Sequence, residues 1–230
     1  MTREFEIKDF NGKCRLFPLP GIVLFPGAIL PLHIFEPRYR QLTVDALATD
    51  GLVTIVQTKR RESQAIAGEP EFESIGSVGK IVQYERLVDG RFNYLLLGCK
   101  RVRLIREIAT DTLYRIAEGE LLDDCDAFDP FAPAPSRDEL VALFRIAAEK
   151  EESIDPELAK LLNSNAPLGT TTDLLAHALS LPASVKQELL AERRVAYRAQ
   201  ALIEQLSRLV GPIARSVIDR RAFPPKFSDN

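Results

Sequence analysis

Few residues in this chain are of a type and spacing that would support chemistry. Ser74-Ile75-Gly76-Ser77-Val78-Gly79-Lys80-Ile81 comes nearest to a phosphate loop, whose backbone amides cradle phosphates and whose hydroxyl residue after the lysine holds magnesium. That loop needs a glycine where Ser74 stands and a hydroxyl where Ile81 stands, so the segment reads as a strand. Ser77 lies between Gly76 and Gly79, but a nucleophile elbow requires G-x-S-x-G on a strand-to-helix turn with histidine and acid partners. Of the two histidines, His33 sits in the apolar run LPLHIF and reads as a hydrogen-bonded structural residue. His177 sits between alanines on a helix and reads as facing solvent or a neighbouring helix. Neither has a cysteine or carboxylate at metal-ligand spacing. The expectation is no catalytic residue, no metal and no cofactor.

The three cysteines, Cys14, Cys99 and Cys125, are far apart and form no CxxC pair. A zinc site or disulfide framework is therefore not expected, and a reduced, cytoplasmic setting is the simpler reading. A net charge of -3 and a pI near 5.6 give no general attraction to polyphosphate. The amino terminus MTREFEIKDF is charged and lacks the apolar core of a secretory signal. The longest apolar run, residues 21–32, carries two prolines and is too short to span a bilayer, so no membrane partner is expected.

Two clusters of charge call for a choice between roles. Glu36 precedes Pro37 and could cap a helix while pairing with Arg38 or Arg40, which fixes a strand-to-helix corner; direct ligand binding is the minor alternative. The run Lys100-Arg101-Val102-Arg103-Leu104-Ile105-Arg106 alternates as in a strand, which puts Arg101 and Arg103 on one face. A solvated outer face is the plain reading. A nucleic-acid surface is weaker, because no aromatic residues interleave.

The elements that would position these residues fall into two halves. Residues 16–42, LFPLPGIVLFPGAILPLHIFEPRYRQL, mix five prolines with long apolar side chains. Proline fixes φ and donates no hydrogen bond, so the run cannot be one helix. It reads as strands at 15–17, 22–25 and 29–35 with a turn at Pro26-Gly27, and Pro37 suits the first position of a helix reaching about Ala48. Strands follow at 52–57 and 75–87, with residues 58–74 as a charged loop. Gly76 and Gly79 suggest a bulge or bend. Asp89-Gly90 signals a two-residue hairpin between 84–88 and 92–97, and further strands are expected at 102–108 and 114–122. This spacing argues for a small antiparallel barrel or rolled sheet.

Beyond a Pro- and Asp-rich linker the period changes. Ser136 with Glu139 forms a capping box for a helix bearing Leu140, Leu143, Phe144 and Ala147. Asp155-Pro156 opens a second helix with Leu158, Leu161 and Leu162. Thr172 or Asp173 caps a third, and Pro182 begins a fourth. The last runs over 193–210 with Val195, Ala199, Leu202, Ile203, Leu206 and Leu209 at helical spacing. The expected organisation is α+β: a 1–12 segment, a β-rich domain at 13–124, a linker at 125–135, a helical bundle at 136–212 and a tail at 213–230.

The ordered blocks LFPLP, VLFPG and LPLHIFEPRYRxL closely resemble the opening of the Lon protease amino-terminal, substrate-binding domain. GKIVQYERLVDGRFNYLLLGCKRVRLIRE is similar to that family's second block, and LPASVKQELLAERRVAYRAQALIEQL to its helical end. The resemblance implies an antiparallel pseudo-barrel of the PUA-like kind followed by a helical bundle. Pro18, Pro31, Phe35, Glu36, Pro37, Arg38 and Tyr39 are its structural motif. A complete Lon protease continues into ATPase and peptidase modules, for which this length leaves no room. The implied function is non-catalytic recognition of exposed segments of unfolded or damaged proteins, with hand-over to a separate protease as a further partner. Candidate contacts are Pro26, Gly27, Ile29, Phe72 and Tyr84. An RNA-binding protein using the β-domain is the alternative.

Overall fold

The computed structural model describes residues 7, 10–59, 71–125, 137–149 and 166–211. Among these residues six strands form one sheet: β1 (Lys13–Leu19), β2 (Ile29–Ile34), β3 (Leu52–Gln57), β4 (Ile75–Arg86), β5 (Phe92–Ile108) and β6 (Ile116–Leu122). The helices are α1 (Pro37–Leu47), α2 (Arg137–Glu149), α3 (Leu168–Ala178), α4 (Ala183–Ala191) and α5 (Val195–Val210).

The ladder β1–β3–β4–β5–β6 returns to β1, so five strands close on themselves. Closure is possible because β5 is long and bends: its first part pairs with β2 and β4, its second with β4 and β6. Register shifts fall at Val78/Gly79, at Ile81/Gln83 and at Leu104/Arg106, where the extra twist of a bulge curls the sheet. Cys14, Leu16, Leu52, Val56, Val78, Val102 and Ala117 fill the interior. One strand pair departs from the antiparallel expectation. β1 and β3 run parallel, Leu16 opposite Thr54 and Phe17 opposite Ile55, because β2 and α1 form a crossover between them. The sheet is mixed within the α+β class.

Residues 22–25 are not a strand, although Val23, Leu24 and Phe25 are buried. The segment is held by hydrogen bonds around the next turn instead. Gly27 donates to the Gly98 carbonyl at 2.8 Å, and Gly98 donates to that of Ala28 at 2.8 Å. The strands expected at 92–97 and 102–108 are one, and Gly98 lies inside it, where a Cβ would overlap the Phe25 carbonyl oxygen. The hairpin after β4 is one residue longer than Asp89-Gly90 predicts. Gly90 donates to Leu87 and Leu87 donates to Arg91, with Gly90 at φ 80°, so a turn through Val88-Asp89 is followed by a left-handed glycine.

The chain divides into two compact units: Met1–Asp123 with Ala176–Arg193, and Asp124–Leu175 with Arg194–Asn230. Residues 176–193 therefore group with the sheet, not with a continuous 136–212 bundle. The physical reason is polar as well as apolar. Gln187 donates from Nε2 to the Ile75 carbonyl at 2.8 Å, and buried Arg101 donates from Nε to that of Leu190 at 2.8 Å. In the second unit α2 buries Leu140, Leu143, Phe144 and Ala147, and α5 buries Ala199, Leu202, Ile203 and Leu206. Leu209, expected on that apolar stripe, is half exposed. Thr172 and Asp173 do not cap α3. The helix begins at Leu168, and both are buried inside it around Arg198. Ser136, the helix expected at Asp155-Pro156, most of the 125–135 linker, residues 60–70 and the 213–230 tail lie outside the described residues.

Candidate functional site

The order of prolines and aromatics in the first forty residues acquires a geometric meaning at one groove. Its volume is about 520 Å³, and it lies between the end of β1 with the residue after it (Phe17 to Pro20) and the end of β2 with the start of α1 (Leu32 to Glu36, Arg38 and Tyr39). Leu113, Tyr114 and Arg115 close a third side. Phe35 and Leu113 are 60% and 64% exposed, so two large apolar side chains stand open at its rim. Phe17 and Tyr39 pack ring on ring beneath them, with centroids 4.0 Å apart.

Two strand edges border the groove, with Pro18 of β1 and His33 of β2 among its lining. β2 pairs with β5 alone among the described strands. The Ala28 carbonyl accepts from Gly98, and the antiparallel register pairs Leu30 with Leu96 and Leu32 with Tyr94. Alternate residues of an antiparallel pair face the partner. Leu30, Leu32 and Ile34 therefore face β5, while Ile29, Pro31 and His33 present their backbone groups to the open side. On β1, Leu16 donates to the Arg115 carbonyl at 2.9 Å. Pro18, two residues on, turns the same way, past the end of the β6 ladder at Arg15. Both in-strand prolines thus put their missing N–H on an unpaired edge, which is where a sheet tolerates them.

Side chains at the corner are fixed locally. Glu36 occupies the N-cap of α1 without a side-chain cap bond; its carboxylate accepts from Arg38 at 2.9 Å instead. Arg38 also lies over the Tyr39 ring at 4.6 Å. The pairing half of the Glu36 expectation holds and the capping half does not. His33 is exposed, with Nδ1 2.6 Å from Asn93 Oδ1, so its role as a hydrogen-bonded structural residue fits, though on an outer face.

Comparison with known proteins now decides the family. The model of the ATP-dependent protease La (LON) substrate-binding domain matches residues 13–208. The chain belongs to that family. Relatives include Lon protease of Anaeromyxobacter dehalogenans, 24% identical over 87% of this chain and 24% of its own length, and Lon protease 2 of Syntrophobacter fumaroxidans, 26% identical over 91% and 27%. The chain thus spans about a quarter of the curated relatives it matches. In fold, this Lon substrate-binding domain is like the crystal structure of a Lon N-terminal domain protein from Xanthomonas campestris (TM-score 0.57, 24% identity, 84% of this chain and 97% of that one). It is also like the N-terminal domain of Mycobacterium avium complex Lon protease (TM-score 0.63, 17% identity, 85% and 98%).

Of the motif residues that carried the resemblance, Pro18, Phe35, Glu36, Arg38 and Tyr39 line the groove of this Lon-family domain. The five contact candidates do not gather there. Pro26 and Gly27 form the turn that docks on Gly98. Ile29 is 51% exposed on β2. Phe72 packs against the barrel interior beneath Arg115, 4.3 Å from ring centroid to guanidinium. Tyr84, 55% exposed, lines a separate shallow depression with Pro31, His33, Gln83, Asn93 and Leu95. Leu113 escapes sequence reasoning, because nothing in its local sequence, DTLYR, distinguishes it from an ordinary loop.

The basic run divides. Arg101 is 3% exposed, whereas Arg103 pairs with Glu120 at 3.3 Å, Arg106 with Glu118 at 2.6 Å and Lys100 with Asp123 at 2.5 Å. Arg106 holds the Glu118 carboxyl below its usual range. No helix among the described residues is long and apolar enough to cross a membrane.

Proposed function

We propose that this domain recognises other proteins and transforms none of them, taking exposed, extended segments of unfolded or damaged chains into the groove between β1 and β2. One observation carries the reading. An unpaired strand edge lies beside open apolar side chains, the combination by which a peptide gains both main-chain bonds and side-chain pockets. Phe35 and Leu113 supply the apolar contacts, and β2 supplies the ladder. The family membership supports substrate recognition, and the match to a substrate-binding domain alone supports a non-catalytic role. Clients gripped at the groove would be passed to a separate protease. Ion pairing of Lys100, Arg103 and Arg106 favours protein over RNA as the partner, since paired charges attract phosphate less.

The test is fluorescence anisotropy with a labelled, reduced and alkylated unfolded protein, without nucleotide. Phe35→Ser with Leu113→Ser is expected to weaken binding about tenfold, the equivalent of ~1.4 kcal/mol. Leu209→Ala is expected to leave it within about twofold, because Leu209, though exposed, does not line the groove. Equal affinity in the double variant and the parent sinks the reading.

A further inference from the structure

Two prolines on open strand edges, Pro18 lining the groove and Pro31 beside it, specify more than an open edge. Pro31 faces the open side of β2 with a carbonyl and no donor, flanked by Ile29 and His33, each with one N–H and one C=O. Pro18 lines the groove on an open edge of β1, again with a carbonyl and no donor. The edge residues that turn into the open side therefore offer four acceptors (Ile29, Pro31, His33 and Pro18) and two donors (Ile29 and His33). Pro31 and Pro18 cannot bond to one another through the backbone, since each offers only an acceptor.

We infer that the open edge of β2, which enters the groove at His33, selects client segments by their backbone donors, admitting proline only at every second position of the bound stretch. The inference rests on the reading of the groove as a client site and deepens it to a substrate class: extended, donor-rich, proline-poor polypeptide. The geometry is that of any added strand. Client residues whose backbone faces β2 must bring an N–H to the Ile29, Pro31 and His33 carbonyls. The residues between them face away from β2. A proline or N-methyl residue in the first set leaves an edge carbonyl without its partner and places a carbon against it. In the second set it loses nothing on β2.

The experiment is an N-methyl scan of a labelled, proline-free peptide of about twelve residues in which valine or phenylalanine alternates with lysine or threonine, a length that covers the edge of one strand. Binding to the full chain is read by anisotropy. Losses of about tenfold at alternate positions, with about twofold or less between them, are expected from one charge-free hydrogen bond plus the steric clash. Losses that are uniform along the peptide, or absent, overturn the inference while leaving the groove as a client site. A parent peptide that fails to bind overturns both. A second arm supplies the missing donor: Pro31→Ala should tighten the parent peptide by about threefold, and unchanged or weaker binding overturns the placing of Pro31 opposite the client backbone.

Discussion

Arg101 Nε donates to the Leu190 carbonyl oxygen at 2.8 Å, joining the middle of β5 to the last turn of α4. The last carbonyls of a helix have no partner within it, and a guanidinium there satisfies one and suits the negative end of the helix dipole. A residue that looks in sequence like one of several solvated arginines is thus the polar anchor of the α4 helix on the sheet.

Replacing Arg101 by methionine keeps most of the apolar stem and removes the donor. A loss of about 2 kcal/mol in urea unfolding is expected, the range for hydrogen bonds to charged groups. A change below about 0.5 kcal/mol, as for a surface arginine, would show that the bond carries no weight.

Arg198 holds the second unit in a similar way. It is fully buried, makes two bonds to Asp124 at 2.8 and 3.2 Å, meets Asp173 at 3.1 Å and donates to Thr172 Oγ1 at 2.9 Å. Arg198→Leu leaves two carboxylates without this cation, for which about 3–5 kcal/mol is the expected loss. Arg198→Lys should recover only part of it, because an ammonium cannot reproduce the two-pronged geometry. Thermal unfolding of the three proteins reads the order directly.

Gly98→Ala tests how the Pro26-Gly27 turn docks. The new Cβ would overlap the Phe25 carbonyl oxygen and crowd Leu24, so the turn must lift from β5. About 1–3 kcal/mol of destabilisation is expected, typical of overpacking. A neutral result in chemical denaturation would mean that the turn shifts freely.

His177 sets a pH dependence whose sign is fixed by its surroundings. Burial first, and the nearby Lys186 second, lower its pKa from the ordinary 6.5, against a backbone hydrogen bond at Val23. Its Nδ1 is buried without a hydrogen-bond partner among the described residues, and Lys186 Nζ donates to its carbonyl at 2.7 Å. The unfolded chain therefore binds the proton more readily than the folded one. The His177 contribution is fully present above its unfolded pKa of about 6.5 and is lost as pH falls through the lowered folded value. His177→Gln should flatten the stability profile between about pH 7 and 5, measured by denaturant midpoint. An unchanged slope would remove His177 as the cause.

What can be read from the linear chain is whatever depends on neighbours in sequence. Proline at Pro18 and Pro31 excluded a single helix, Pro37 opened α1, and the apolar spacing of Leu140 to Ala147 and of Ala199 to Leu206 marked buried helix faces. The blocks from LFPLP to FEPRYR carried the family as well, because local backbone rules constrain them closely. Tertiary structure decided everything that depends on which surfaces meet. It ran β1 parallel to β3, kept residues 22–25 out of the sheet, drew Thr172 and Asp173 inside a helix around Arg198, and assigned residues 176–193 to the sheet unit. It also gathered Phe17, Phe35 and Leu113 at one groove from positions far apart in the chain. Local conformation is set by steric and hydrogen-bonding limits within a few residues; a groove, or an arginine's burial, is set by partners that only folding brings near.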